Sequence, residues 1–168
     1  MKWPGGRASL FNPMVIRAVI LWIHVLCGVV WVGSCATFVL AAAALAGEPH
    51  ESFAFAIRVA PRINRLCVPL AIAIPITGIS NLLFAAQARG SVLPVEFIGI
   101  VTAKVGLLAI MASALLGAWR AAAILGEKAT KAPELGCEVS IRWLMTLYGL
   151  IVGAGMVALG LGLWLSGT

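Results

Sequence analysis

Four apolar stretches, about 14–46, 63–88, 97–125 and 141–166, constrain this chain more than anything else in it. Each exceeds the ~20 residues needed to cross a ~30 Å hydrocarbon layer. Inside lipid a segment must satisfy its own backbone hydrogen bonds, so long apolar runs of this kind can only be helices. The connections between them are short, which makes sequential helices antiparallel neighbours. The expected fold is therefore all-α: a polytopic membrane protein built as one four-transmembrane-helix antiparallel bundle over 14–166. A polar lead, residues 1–13, is expected at the interface. The surplus length of the stretches predicts tilt or helical extension beyond the bilayer. The connection 47–62 is expected to hold a short surface helix with Phe53, Phe55 and Ile57 near the lipid.

Composition supports the membrane reading. Hydrophobic residues make up 62% of the 168-residue chain, and mean hydropathy is +1.06. Soluble domains run nearer 45–50% apolar. The net charge of +6 does not indicate a nucleic-acid partner. Its Lys and Arg residues lie at segment ends, without the aromatic interleaving such an interface uses. Seven of them (Arg58, Arg62, Arg65, Arg120, Lys128, Lys131 and Arg142) fall on one side. Four (Lys2, Arg7, Arg17 and Arg89) fall on the other. By the positive-inside rule the 47–62 and 126–140 connections are cytoplasmic, and both termini lie outside a bacterial-type inner membrane. Ala44-Leu45-Ala46 before Gly47 resembles a signal cleavage site, but the apolar run ahead of it is too long for a signal peptide.

Two ionisable side chains interrupt the apolar segments: His24 and Lys104. Such groups are costly in a bilayer and by default mark a functional site. At ~1.5 Å per residue from the outer end, His24, Thr77 and Met156 lie ~15 Å deep and Lys104 ~11 Å. One polar layer thus draws a residue from every helix, with Ser80 and Asn81 slightly nearer the surface. Facing is the second condition. His24, Gly28, Trp31 and Cys35 form one stripe, and Thr77 and Asn81 share another. Pro69 and Pro75 are placed to free backbone carbonyls near the layer. On the fourth helix Gly149, Gly153, Met156, Gly160 and Gly167 form a small-residue stripe, which predicts that Met156 is on the packed face. On the third, the stripe Gly106, Ala109, Ser113 and Gly117 is nearly opposite Lys104. Either Lys104 faces the bundle interior and that stripe meets a partner, or Lys104 snorkels to the headgroups.

For His24 the functional reading is a haem or metal ligand or a proton carrier, and the plain one an interhelical hydrogen bond to Thr77 or a carbonyl. For Lys104 the functional reading is a counter-charge to an anionic group such as a porphyrin propionate. His50, the second histidine, sits at the opposite side and cannot join His24. A His24/Met156 pair, His24 with water, and His24 with a second copy's His24 remain open, Met156 doubling as ordinary core filler. Cys27, Cys35, Cys67 and Cys137 form no C-x-x-C pair. Cys35 and Cys67 share the inner half and can meet, and soft Cys or Met donors would suit copper. Trp3, Trp22, Trp119, Trp143 and Trp164 read as interfacial anchors.

These residues resemble a family. LWIHVLCGVVWVGS in the first segment is similar to the H-x6-W-x-G opening of the copper-resistance D (CopD) type membrane domain. RINRLCVPLAIAIPITGISNL is similar to its R-F-S-R-x-A…T-G segment. AKVGLLAIMASALLGAWR resembles its K-L…A-x-N-R segment, with Trp119 where Asn is usual. SIRW opens the last segment as S-V-R does there. The HemJ-type protoporphyrinogen oxidases, more distantly similar, share an early His and Trp and a later Lys, taken there as haem and active-site residues. The resemblance implies a four-helix module for b-type haem or copper, carried here by His24 and Lys104.

Three functions follow as expectations. The first is a haem- or copper-handling membrane protein, acting in electron transfer or a related role through His24. The second is a non-catalytic accessory subunit of a respiratory or photosynthetic complex, or a homodimer, joined through the small-residue faces of the third and fourth helices. The third is a small transporter, disfavoured because the third helix's inner half has no polar residue beyond Ser113.

Overall fold

The computed structural model describes residues 13–88, 90, 94–131 and 137–167. Side chains 13, 128–131, 137, 138 and 165–167 are not among those described. The polar lead before Pro13, Trp3, the Cys137 thiol, the middle of the 126–140 link, and Lys2, Arg7, Arg89, Lys128 and Lys131 of the charge count therefore lie outside the described residues.

Four helices account for the fold: α1 (Pro13–Ala44), α2 (Pro49–Ala88), α3 (Val95–Lys131) and α4 (Cys137–Gly167). All four are long and apolar enough to cross a membrane. This is an all-α, multi-pass membrane protein. Proline opens α1 and α2, where its missing N–H costs nothing. Glu51 and Glu96 sit in first turns, where the helix dipole favours an anion. Gly90 follows α2 at φ 66°, the left-handed conformation that a glycine reaches without a Cβ clash.

The 47–62 connection is not a surface helix. α2 runs unbroken from Pro49 and carries Pro61, Pro69 and Pro75 in its interior. Each proline removes the donor for the carbonyl four residues earlier. The helix continues through Pro61 because its buried stripe does: Ser52, Ala56, Ala60, Asn64 and Cys67 all face the bundle. Phe55 packs on Phe38 of α1 at 5.4 Å between ring centroids, so it is held by the core and not by lipid.

α1 packs on α2 and α4, and α3 on α2 and α4, with a further diagonal contact between α2 and α4. Among the described residues no close backbone approach joins α1 and α3. The close-packed core lies toward the end of the bundle that carries the α1–α2 turn, hereafter the basic end. It holds Trp31, Cys35 and Phe38 of α1, Cys67 of α2, Leu125 of α3, and Leu144, Tyr148 and Ile151 of α4. Toward the terminal end it stops: α1 has no buried described residue before Trp31, and α2 none after Cys67.

Facing pairs fix the register. His24 meets Thr77, Val32 meets Gly155, Lys104 meets Gly162, and Gly117 meets Leu147. Counting along the helices from these pairs, Glu96 stands level with Arg17, and Arg65 level with residue 36. From Arg17 to residue 36 is ~28 Å of helix, about the thickness of a hydrocarbon layer. Lys104 is the one formal charge within that belt among the described residues. Trp119 and Trp143 are exposed beyond the basic-end border, where interfacial anchors belong, whereas Trp22 and Trp164, also exposed, stand nearly level with His24, well inside the terminal-end border.

Candidate functional site

Most hydroxyls in the helices are used up locally. Ser34, Thr37, Ser80, Thr102, Ser113 and Thr146 each donate to the carbonyl four residues earlier, which satisfies a polar group facing lipid. Thr77 differs. Its Oγ1 donates to Ala73 O at 2.7 Å, with Ile74 O at 3.1 Å, and also lies 2.9 Å from His24 Nδ1. His24 Nδ1 is in turn 3.1 Å from Ile74 O.

Hydrogen-bond accounting assigns the imidazole tautomer. A carbonyl oxygen only accepts, so the Nδ1 beside Ile74 O must carry the proton. The single Thr77 proton is already directed at a carbonyl, so Oγ1 can only accept from Nδ1. In the neutral ring Nε2 then bears a lone pair, the form in which histidine ligates metals. A backbone carbonyl and a hydroxyl on the other nitrogen are the partners that orient a ligating imidazole. Gly78 completes the seat: a methyl group there would stand 3.2 Å from His24 Cε1. The accepting carbonyl, Ile74 O, is not one that a proline frees. Pro69 and Pro75 release Arg65 O and Ala71 O instead.

Lys104 faces the bundle, which decides between its two orientations. A methyl group at Gly162 of α4 would lie 3.1 Å from its Nζ. The ammonium therefore reaches across to α4 and does not climb to the headgroups. Counted through Gly162 and the Gly155–Val32 pair, Lys104 stands level with residue 25 of α1, beside His24 in height. His24 and Lys104 stand at similar heights on helices that make no close backbone approach to each other among the described residues. The small stripe Gly106, Ala109 and Ser113 is exposed on the outside of α3.

Met156 is the correction. It is 60% exposed, not packed, and Gly153 and Gly160 beside it are open as well. The packed glycine of α4 is Gly155, whose missing Cβ makes room for Val32 and Met111. The register also sets Met156 level with Trp31, ~10 Å from the His24 layer. Counting depth from the helix end misplaced it because α4 begins and ends at different heights from α1. In a helix, moreover, a neighbour of a packed residue can face lipid.

Among the described residues two buried donors have no partner. Trp31 is fully buried, and its Nε1 makes no hydrogen bond. Asn81, one turn from Thr77 toward the terminal end, has a buried Nδ2 in the same condition. Orphaned buried donors are rare and call for an acceptor. The sequence singled out both residues by facing but gave no sign that their donors would be unpaired.

A second polar cluster lies in the core and was not anticipated. Tyr148 OH donates to Asn64 Oδ1 at 2.7 Å, with Ala60 O at 3.4 Å. Cys35 and Cys67 are both fully buried in the same core. Both are free and buried. No group of three or more His, Cys, Asp or Glu residues is placed to hold a metal ion among the described residues.

No family profile, curated protein or solved structure matches the chain.

Proposed function

We propose that this chain is a b-type haem-binding membrane protein in which His24 Nε2 is the axial ligand. The observation that carries the reading is the Nδ1 anchorage to Ile74 O and Thr77 Oγ1, which leaves Nε2 as the ligating nitrogen. A porphyrin brings four equatorial nitrogens of its own, so one imidazole suffices. A copper ion would need further protein donors in the same layer. Lys104, an intramembrane ammonium with no carboxylate at its depth among the described residues, suits the anionic propionate edge of such a group. Bound haem would supply one-electron redox chemistry. This chain's part is to ligate, orient and keep the group in the membrane. With Met156 turned to lipid, His24 would be the residue of this chain that holds the group, with water or a second copy's His24 as a further partner. The CopD-type resemblance, and the more distant HemJ-type one, favour the same two residues.

The test is a reduced-minus-oxidised spectrum with iron and copper analysis on protein purified in mild detergent. A Soret band that disappears in His24→Ala supports the proposal. Wild-type protein that stays colourless after haem is supplied overturns it.

The second reading is an accessory subunit or homodimer. It is favoured by the exposed Gly106, Ala109 and Ser113, the last two of which border a shallow apolar groove of about 430 Å³ against Leu147 and Leu150 of α4. Close helix approach in lipid uses such surfaces. Co-purification of stoichiometric membrane subunits, lost in Ala109→Phe, would support it. For placement we propose a bacterial-type inner membrane with the arginine-rich end in the cytoplasm. Phosphatase and fluorescent-protein fusions at the C-terminus test that orientation.

A further inference from the structure

Arg58, Arg62 and Arg65 recur at i, i+4 and i+7 and share one face of α2. The opposite face, Ser52, Ala56, Ala60 and Asn64, is buried in the bundle, so the direction of the arginines is fixed. All three are exposed. The row covers ~10 Å along the helix axis. It starts at the edge of the apolar belt and climbs through the ~5–8 Å that a headgroup layer adds to each side of the hydrocarbon. Glu51 is the one acid on this face, two further turns out from Arg58.

Immediately on the belt side of Arg65 the same face becomes apolar. Val68 and Ile72, 38% and 58% exposed, continue it. With Leu115, Leu116 and Trp119 of α3 they line a groove of about 400 Å³ along the α2–α3 seam. A basic row at headgroup height, beside an apolar groove that starts level with it at Trp119 and runs down to Ile72 at acyl-chain height, offers the two halves of a phospholipid's chemistry. Guanidinium groups add a specific element, because their planar fork pairs with phosphate through two parallel hydrogen bonds.

We propose that the α2–α3 seam is a binding site for an anionic phospholipid of the phosphatidylglycerol class. Arg58, Arg62 and Arg65 hold the phosphodiester, and the Val68–Trp119 groove takes an acyl chain. The lipid, and not a free anion, is the occupant, because the groove has no other use for so long an apolar floor beside the charges.

The full chain in neutral detergent is titrated with phosphatidylglycerol and, in parallel, with phosphatidylcholine of the same chain length, bound lipid being counted by native mass spectrometry. Phosphatidylglycerol is expected to bind at least tenfold more tightly. Arg62→Gln should lose on the order of fivefold in that preference, the worth of one basic residue near an anionic headgroup. The triple variant R58Q/R62Q/R65Q should bind the two lipids equally. Ala112→Phe, which fills the groove, should weaken both. Far-UV circular dichroism checks folding, and if the triple variant does not fold, Arg62→Gln and Arg65→Gln give the answer singly. The proposal fails if wild-type protein shows no preference. It fails equally if the arginine variants keep it, or if millimolar inorganic phosphate displaces the lipid, which would make the row a site for a free anion.

Discussion

His24 Nδ1 is held 2.9 Å from Thr77 Oγ1 on the neighbouring helix, and that hydroxyl is itself bonded back to Ala73 O. The consequence is positional. Thr77 does not touch whatever His24 ligates; it fixes which nitrogen is available and where the ring points. Thr77→Val should therefore leave the helical fold intact and weaken haem binding by ~10–100-fold, the usual cost of losing a partner behind a metal-ligating imidazole. Thr77→Ser keeps the oxygen and should recover most of it. Haem titration followed at the Soret band measures both. Equal affinity in wild type and Thr77→Val would show that Ile74 O alone orients the ring.

Lys104 is testable through the charge of its partner. If its ammonium faces a propionate, Lys104→Met should lower the affinity for haem by about tenfold or more, since a hydrogen bond to a charged group is worth ~1.5–3 kcal/mol. The same substitution should leave the affinity for the dimethyl ester of haem unchanged, because the ester has no charge to lose. Parallel titrations of the two porphyrins separate this from a general loss of packing. A loss of equal size for both would mean that Lys104 acts only as a filler against Gly162.

The arrangement of helices was legible because it depends on length, apolarity and short connections alone. So was the height of Lys104, once helix ends were aligned. The start of α2 was not. Pro61 reads as a boundary by local chemistry, and only the buried stripe through Ala56, Ala60 and Asn64, a tertiary fact, carries the helix past it. The facing of Met156 failed for a related reason. Three of its stripe mates are glycines, which serve equally for close packing and for an open lipid face. The inward turn of Lys104 was left undecided by the sequence because it depends on Gly162, a residue whose only signal is the space it does not fill. Asn64 and Tyr148, 84 residues apart, carry no local pattern that would pair them.

That pair makes a stability prediction independent of any ligand. Tyr148 is fully buried and Asn64 is 2% exposed, so deleting the hydroxyl leaves Asn64 Oδ1 without its donor in an apolar core. Tyr148→Phe should cost ~1–3 kcal/mol, the penalty of an unsatisfied buried group. Asn64→Leu alone strands the hydroxyl and should cost a similar amount. Together the two changes remove both polar partners, so the double variant should be less destabilised than the sum of the singles. Unfolding in mild detergent followed by far-UV circular dichroism gives the cycle, and strict additivity would mean that the hydrogen bond contributes nothing measurable.

Gly155 sets how closely α4 approaches α1. A Cβ there would overlap Val32 Cγ2 and come within 3.5 Å of Met111 Cε. Val32 is β-branched and 7% exposed, so it has neither a free rotamer nor open space to retreat into. Gly155→Ala should therefore destabilise the bundle by ~1–3 kcal/mol, the range for overpacking a filled core. Val32→Ala on its own opens a small cavity and is also destabilising. Combined with Gly155→Ala it supplies the missing space, so the double variant should be more stable than Gly155→Ala alone. Glycines 153 and 160 meet nothing, and Gly153→Ala should be close to neutral. Thermal unfolding of the four variants reads the pattern directly. If Gly155→Ala is as harmless as Gly153→Ala, the α1–α4 seam is looser than the contact between Val32 and Gly155 requires, and the seat of His24 on the same helix loses its rigid support.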